Sequence, residues 1–305
     1  MAENEMTLLE RVRQMVSAQL LSWELAGRNH AALRIVQTRE FSFDGFSVYV
    51  QFNPSRIVSS GAKVGAASVT ARPCFLCPEN RPVEQLGIAW RDYDILLNPY
   101  PVFASHLTIA HKGHCQQEIA PYLTDMFALS RELPGYALFY NGPRCGASAP
   151  DHQHFQAVPA ASLPVVGDYG RLKQTHAVQY DRTGRAVTYI MRDYLRTLFC
   201  IESAHADALE IAFMKLYNML MTEPFVEPMM NVVCVWGDEG WRLFVFPRAA
   251  FRPWQYSADD ERTRLLISPA AVEMAGVMIT PLREHFERIT AADIADIYSQ
   301  VSMKL

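Results

Sequence analysis

Three side chains in the run Asp151-His152-Gln153-His154-Phe155-Gln156 have the types and spacing to do chemistry together. On an extended strand, residues two apart share a face, so His152, His154 and Gln156 present to one place. A neutral imidazole can attack phosphorus, hold the transferred group as a phosphoramidate, and release it when an acceptor arrives. Such chemistry needs donors for the phosphate oxygens. Just upstream lies Asn141-Gly142-Pro143-Arg144-Cys145-Gly146-Ala147-Ser148, a run of small residues whose backbone N–H groups can approach an anion, with Arg144 as a fixed charge. The bland alternative is a pair of hydrogen-bonded core histidines beside a turn. Gly146, Ser148 and Gln156 around the pair favour the chemical reading.

A second cluster is Cys74-x-x-Cys77. Two thiolates at this spacing can share one metal, and a tetrahedral site then takes two more ligands. His114 and His152 are candidates for those positions. His106 and His111 are rivals that spacing alone leaves open. A four-ligand protein site has no open position for catalysis, so this metal would be structural zinc, fixing the strand that carries His154.

The elements that must position these residues are readable in outline. Leu8 to Leu25 repeat at helical spacing. Phe41–Phe43 and Phe46–Phe52 alternate as strands about an Asp44-Gly45 turn. Residues 57–73 are small and polar and predict a loop. Strands are expected at Tyr93–Leu97, His106–Ala110 and Tyr136–Tyr140, with a helix over 116–131 between the last two. The second half follows the same grammar. A helix is expected over 203–221, then a hairpin Asn231–Trp236 and Trp241–Phe246, a strand over Val272–Ile279 and a closing helix over 291–303. The fold class is α+β, from two antiparallel sheet-plus-helix halves.

The 305 residues, half of them hydrophobic and a fifth charged, match an ordinary globular chain able to bury a sizeable core. A formal net charge of -4 offers no general attraction to nucleic acid or anionic membrane, so any phosphate site must be local. No apolar run is long enough to span a bilayer. The six cysteines do not suggest a disulfide scaffold, and the expected setting is the cytoplasm.

The run Asn141…Gly146-Ala147-Ser148…His152-Gln153-His154-Phe155-Gln156 resembles the active-site signature of the histidine triad superfamily in its transferase branch. That branch holds galactose-1-phosphate uridylyltransferase, diadenosine tetraphosphate phosphorylase and GDP-hexose phosphorylase. The resemblance covers roughly residues 50–290 and implies a histidine triad-like fold whose second half is a degenerate repeat, with residues 1–160 carrying the motif and zinc site and 161–305 completing the pocket. It implies that His154 is the nucleophile, that Gln156 contacts the phosphate of a nucleotidyl-enzyme, and that Gly146 and Ser148 line the phosphate pocket. Asn98 would contact the ribose and Arg56 the substrate phosphates, while Arg248 is a further candidate to face a phosphate. It also favours His114 over its rivals at the metal. One departure is visible: four steps separate Ser148 from His152 where the family usually has three. The implied activity is a nucleotidyltransferase or phosphorylase using a nucleoside diphosphate sugar or dinucleoside polyphosphate. Its partners would be that nucleotide and a phosphate or sugar-phosphate acceptor, with a homodimer admissible and no nucleic acid or membrane. A hydrolase of nucleotide conjugates and a silent nucleotide-binding protein are the competing readings; Gln156 in place of a third histidine speaks against the hydrolase.

Overall fold

A computed structural model describes residues 6–57 and 72–305. Most of the predicted 57–73 loop therefore lies outside the described residues. The chain opens with a helix at Leu8–Ser22, started by a reciprocal cap: the Glu10 N–H donates to Thr7 Oγ1 and the Thr7 N–H to the Glu10 carboxylate. The helical run does not continue through Trp23; a second helix, Glu24–Ala31, follows.

Strands β1 (Gln37–Phe43), β2 (Phe46–Phe52) and β13 (Val277–Thr280) form a small sheet in which β13 runs parallel to β2. The other ten form one sheet: β3 (Gly87–Trp90), β4 (Tyr93–Leu97), β5 (Leu107–His111), β6 (Tyr136–Asn141), β7 (His154–Pro159), β8 (Ala177–Thr183), β9 (Ala186–Met191), β10 (Phe199–Ser203), β11 (Met230–Gly237) and β12 (Gly240–Pro247). Their spatial order is β3-β4-β5-β7-β6-β11-β12-β10-β9-β8, and every neighbouring pair is antiparallel.

This order contains a repeat. From one edge inward the first half reads third, fourth, fifth, seventh, sixth strand, with the helix Leu123–Glu132 between the fifth and sixth. From the other edge the second half reads eighth, ninth, tenth, twelfth, eleventh, with the helix Ala206–Leu220 between the tenth and eleventh. The halves meet where β6 pairs with β11, Asn141 opposite Asn231. The fold is thus α+β with two related antiparallel halves, as expected. The second is degenerate for a visible reason. Residues 142–153 join β6 to β7, whereas Asp238 and Glu239 alone join β11 to β12, which leaves no loop to carry a site.

Alternation along β7 decides which residues reach the site. Phe155 and Ala157 enter the core between the sheet and its helices, with Tyr93, Ile109, Leu138, Tyr140, Met126 and Phe213. Truncating a buried Phe to Ala costs about 3–5 kcal/mol, and a one-residue slip would drive His154 into that core. Register is therefore fixed by packing, and His154 and Gln156 are held on the other face. Phe139, Val158, Val233, Phe244 and Phe246 pack there beneath β2, β13 and the C-terminal helices.

A second expected element differs. Val272–Ile279 is not one strand but a short helix, Ala271–Met274, followed by β13. The Glu273 carboxylate turns back to accept from the Ala270 N–H at 2.9 Å, and Gly276 at φ +113° ends the turn. The hydrophobic run is buried in both elements, so its pattern does not separate them. The closing helix is Ala291–Val301. No helix among the described residues is long and apolar enough to cross a membrane.

Candidate functional site

A cleft of about 670 Å³ lies where the loop 142–153, the ends of β5 and β7, the turn after β4 and the helix Ala271–Met274 converge. Its lining includes Arg56, Asn98, Asn141, Gly146, Ser148, His154 and Gln156, seven of the sequence candidates.

His154 is 2 % exposed, opposite the small side chain of Ala110 on β5. Its Nδ1 lies 2.8 Å from the carbonyl oxygen of His152. A carbonyl only accepts, so Nδ1 carries the proton and Nε2 holds the lone pair. Burial pushes the imidazole pKa down to about 4, against the opposing effect of that carbonyl bond, so the ring is neutral near pH 7. A neutral, tautomer-fixed imidazole is the form that attacks phosphorus.

Gln156 is set by His106. The Val102 N–H donates to His106 Nδ1 at 3.3 Å, which leaves Nε2–H to donate to Gln156 Oε1 at 2.9 Å. The amide of Gln156 is thereby turned so that its Nε2 hydrogens are its remaining donors. Burial, with Arg56 adding to it, lowers the His106 pKa to about 3. Sequence offered His106 only as a rival metal ligand; it is a positioning residue for Gln156 instead.

Gln117, which sequence reading missed, is buried and makes three bonds. Its Oε1 accepts from the His154 N–H at 2.8 Å, and its Nε2 donates to the carbonyls of Asn141 and His154 at 3.0 and 3.1 Å. These groups lie where β6 and β7 splay apart to admit the loop, so Gln117 replaces ladder bonds that the splay removes. A lone Gln between His114 and a helix carries no spacing signal that would have found it.

The loop has little steric freedom. Gly146 has φ +99°, and a Cβ there would stand 2.6 Å from the Ala270 Cβ. Ser148 is exposed on the cleft, its carbonyl accepting from Arg72 at 2.8 Å. Asn141 Oδ1 accepts from Asn231 Nδ2 and from the Ala271 N–H at 2.9 and 2.8 Å, which ties the loop's start to both halves. Asn98 accepts the Tyr100 N–H at 2.9 Å and donates to Thr108 Oγ1 at 3.1 Å, so it builds its own turn while lining the cleft. Arg56 donates to the Tyr100 carbonyl at 2.8 Å.

Two arginines fall elsewhere. Arg144 is outside the lining, exposed and bonded to the Glu227 carbonyl at 2.9 Å. Arg248 is 1 % exposed, with all five N–H donors on protein acceptors: Val301, Asn231, Pro269, Ala250 and Phe251. It can offer nothing to a phosphate; it fastens the end of β12 to the last helix.

Beside the cleft, Cys74 Sγ, Cys77 Sγ, His114 and His152 bring one ligand atom each within 4.8 Å of one another. Cys74 Sγ and His152 Nδ1 are 3.3 Å apart, Cys77 Sγ and His114 Nδ1 3.3 Å, Cys77 Sγ and His152 Nδ1 3.6 Å, and the two Nδ1 atoms 3.3 Å. His152 Nε2 lies 2.8 Å from the His111 carbonyl, so it is protonated and Nδ1 offers its lone pair to the cluster. Arg81 clamps the cysteine loop to β4, donating to the Leu76 carbonyl at 2.8 Å and to Asp94 at 2.7 Å. Neither His106 nor His111 belongs to the cluster; the His111 ring instead bonds Gly113. The four residues can hold one metal ion.

Residues 15–159 match the family model described as a domain of unknown function, DUF4922. Residues 172–305 match the GDPGP1-like, C-terminal domain. No curated protein sequence matches the chain significantly. Among solved structures, the chain is similar to yeast Ap4A phosphorylase Apa2 in complex with Ap4A, at 17% identity and a TM-score of 0.63, covering 96% of this chain and 97% of that one. The same enzyme in complex with AMP matches at 17% identity and a TM-score of 0.60, covering 95% of each chain. The chain thus shares its fold with this phosphorylase, and its residues 172–305 match the GDPGP1-like, C-terminal domain.

Proposed function

We propose that this protein is a nucleotidyltransferase or phosphorylase working through a covalent nucleotidyl-His154. The observation that carries the reading is the fixed tautomer of His154: Nδ1–H on the His152 carbonyl and the Nε2 lone pair in a cleft lined by Gly146, Ser148 and Gln156. Nε2 attacks the α-phosphorus of a nucleoside diphosphate sugar or dinucleoside polyphosphate. The N–P bond forms as the P–O bond to the leaving sugar phosphate or nucleotide breaks. As Nε2 is phosphorylated the ring becomes cationic, and its Nδ1–H bond to the carbonyl strengthens. Gln156 Nε2, aimed by His106, and the backbone around Gly146 and Ser148 supply donors for the non-bridging oxygens. In the second half-reaction an oxygen of phosphate or of a sugar phosphate attacks phosphorus, the N–P bond breaks, and neutral His154 returns. Asn98 and Arg56 serve as nucleotide contacts in this reading. The fold shared with an enzyme crystallised with Ap4A and AMP supports a nucleotide as the ligand of the cleft.

The cysteine–histidine cluster fits zinc. Zinc bonds of about 2.3 Å to sulfur and 2.0–2.1 Å to nitrogen separate tetrahedral donors by roughly 3.3–3.8 Å, and the measured separations of 3.3 to 3.6 Å lie in that range. Cys74, Cys77, His114 and His152 would hold it. When bound it supplies a fixed anchor, with no position left for substrate.

The test is a panel of nucleotide sugars and dinucleoside polyphosphates, each with and without phosphate or a sugar phosphate. The reading expects turnover that requires the acceptor. Turnover undiminished without any acceptor means water is the acceptor and makes the protein a hydrolase, and neither turnover nor adduct across the panel sinks the proposal.

A further inference from the structure

Glu227 belongs to the second half, in the connection between the helix Ala206–Leu220 and β11, but its carboxylate reaches into the first. Oε1 accepts from the Tyr140 hydroxyl at 2.6 Å and Oε2 from the Ile119 N–H at 2.7 Å. Gly142 lies against the same carboxylate, where an added Cβ would stand 3.5 Å from Oε1. The Glu227 carbonyl also accepts from Arg144 in the loop 142–153. One residue thus holds the end of β6, the start of the loop and the segment 115–119.

Both donors to the carboxylate lead to His154. Ile119 follows Gln117 by two residues, and Gln117 Oε1 accepts the His154 N–H at 2.8 Å. The same segment is joined to the strand a second time, because Gln153 Oε1 accepts from the Glu118 N–H at 3.2 Å. The Tyr140 ring packs against Phe155, the residue after His154, with 6.3 Å between centroids.

We infer, on the reading of His154 as the nucleophile, that Glu227 is a positioning residue for it and holds the segment 115–119 and β6 together only while ionised. A carboxylate accepts at both oxygens, whereas a protonated carboxyl must carry a hydrogen on one of them. On Oε2 that hydrogen faces the Ile119 N–H, donor against donor. On Oε1 it requires Tyr140 to turn and accept, which takes the phenol hydrogen off its acceptor. Either way one of the two ties is lost.

The groups facing Glu227 place this change near neutrality. Burial raises its pKa to about 7, against the bonds from Tyr140 and Ile119; the charge of Glu118 adds to the rise and that of Arg144 opposes it. Tyr217 on the helix Ala206–Leu220 and Cys145 in the loop are the other titratable neighbours. Burial pushes them up to about 12 and about 11, so both stay neutral over the same range.

The experiment follows the His154 amide resonance of the whole protein by NMR between about pH 6 and 8, beside the Glu227 carboxyl carbon. It needs no substrate. The two signals are expected to move together, with a midpoint near 7. Glu227→Gln, which mimics the protonated acid, should abolish the movement at His154. Tyr140→Phe takes a bond from the carboxylate and should raise the midpoint, whereas Glu118→Gln removes a like charge and should lower it. A merely structural contact gives no such opposed shifts. In the first half-reaction, measured without acceptor, wild type should outpace Glu227→Gln about tenfold or more at about pH 8, and the ratio should shrink as pH falls through 7. A His154 amide that titrates identically in Glu227→Gln, or not at all in wild type, overturns the inference even where nucleotide transfer is found. A rate ratio independent of pH overturns it too. Coupled titration with no nucleotide turned over would instead sink the transferase reading and leave the tie between Glu227 and His154 standing.

Discussion

His154 Nδ1 lies 2.8 Å from the carbonyl oxygen of His152, a residue whose own Nδ1 belongs to the metal cluster. The His152 ring is in turn bonded through Nε2 to the carbonyl of His111 at the end of β5. Cluster, strand end and candidate nucleophile are therefore linked by two consecutive bonds to backbone carbonyls. A metal held here would act on His154 through position, because it would fix the peptide that sets the His154 tautomer.

Metal loss should therefore lower stability and activity together. Purified protein is expected to hold about one zinc per chain. Cys74→Ser should reduce zinc content and Tm in parallel, since metal binding and folding are coupled, while His111→Ala, which keeps the backbone carbonyl, should retain the metal. Elemental analysis with thermal melts checks both. Zinc-free protein that is undamaged and fully active would contradict the assignment.

Gly146→Ala should be costly despite adding one methyl group. The new Cβ meets Ala270 at 2.6 Å, and φ +99° is strained for any L side chain. The loop has to shift, so kcat/KM should fall by an order of magnitude or more, with a loss of roughly 1–3 kcal/mol in denaturant unfolding. A variant equal to wild type in both would mean that the loop is not held against the second half.

Gln117→Leu tests a residue outside the motif. It leaves the buried His154 N–H and two carbonyls without their partner. Each unmet buried group costs about 1–3 kcal/mol, so the variant should be destabilised by at least that much. It should also transfer nucleotide more slowly, because β7 loses its anchor at His154. Chemical denaturation and single-turnover rates separate the two effects.

His106 gives a pH signature. Its folded pKa, near 3, lies below the ordinary value of about 6.5. The unfolded chain therefore binds the extra proton first, and stability rises with pH. The contribution is fully present above about pH 6.5 and is lost as pH falls toward 3; at pH 5.5 the loss is about 1.4 kcal/mol. His106→Gln keeps a donor for Gln156 without a titrating group, so the stability gap between wild type and variant should shrink between pH 7.5 and 5.5. A gap that stays constant or widens would show that His106 is not a buried neutral imidazole.

What the sequence made legible follows from what local pattern encodes. β4 was bounded correctly because Tyr93–Leu97 is a short apolar run between turn residues, and His154 and Gln156 share a face because strand alternation requires it. The repeat showed faintly, through the order of helices and hairpins. Edge strands such as β8, with its exposed Gln179 and Tyr180, carry too weak an alternation to read. The split of Val272–Ile279 was hidden because both elements are buried. The expected phosphate role of Arg248 fails and Gln117 is missed for a shared reason. Their roles depend on carbonyls that only tertiary structure assembles, from Pro269 and Val301 in one case and from Asn141 and His154 in the other.

The last prediction is that His154, and no other histidine, becomes nucleotidylated. Of the remaining histidines near the cleft, His106 has both ring nitrogens committed, to Val102 and Gln156. His152 has both engaged too, one on the His111 carbonyl and one at the metal cluster. Only His154 combines a protonated Nδ1 on a carbonyl with an Nε2 that has no partner among the described residues. His154→Gly should leave fold and zinc intact, since the ring belongs to neither the metal set nor the helix-covered core. It should lower transfer by several orders of magnitude, as loss of a nucleophile does. His152 replacement should, in contrast, disturb metal content as well. Enzyme mixed with labelled nucleotide substrate and no acceptor, quenched under conditions that preserve acid-labile phosphoramidates, is mapped by mass spectrometry. Adding phosphate or sugar phosphate before the quench should discharge the label into a nucleotide product. An adduct on a different residue, or multiple turnover by His154→Gly at the wild-type rate, would refute the mechanism.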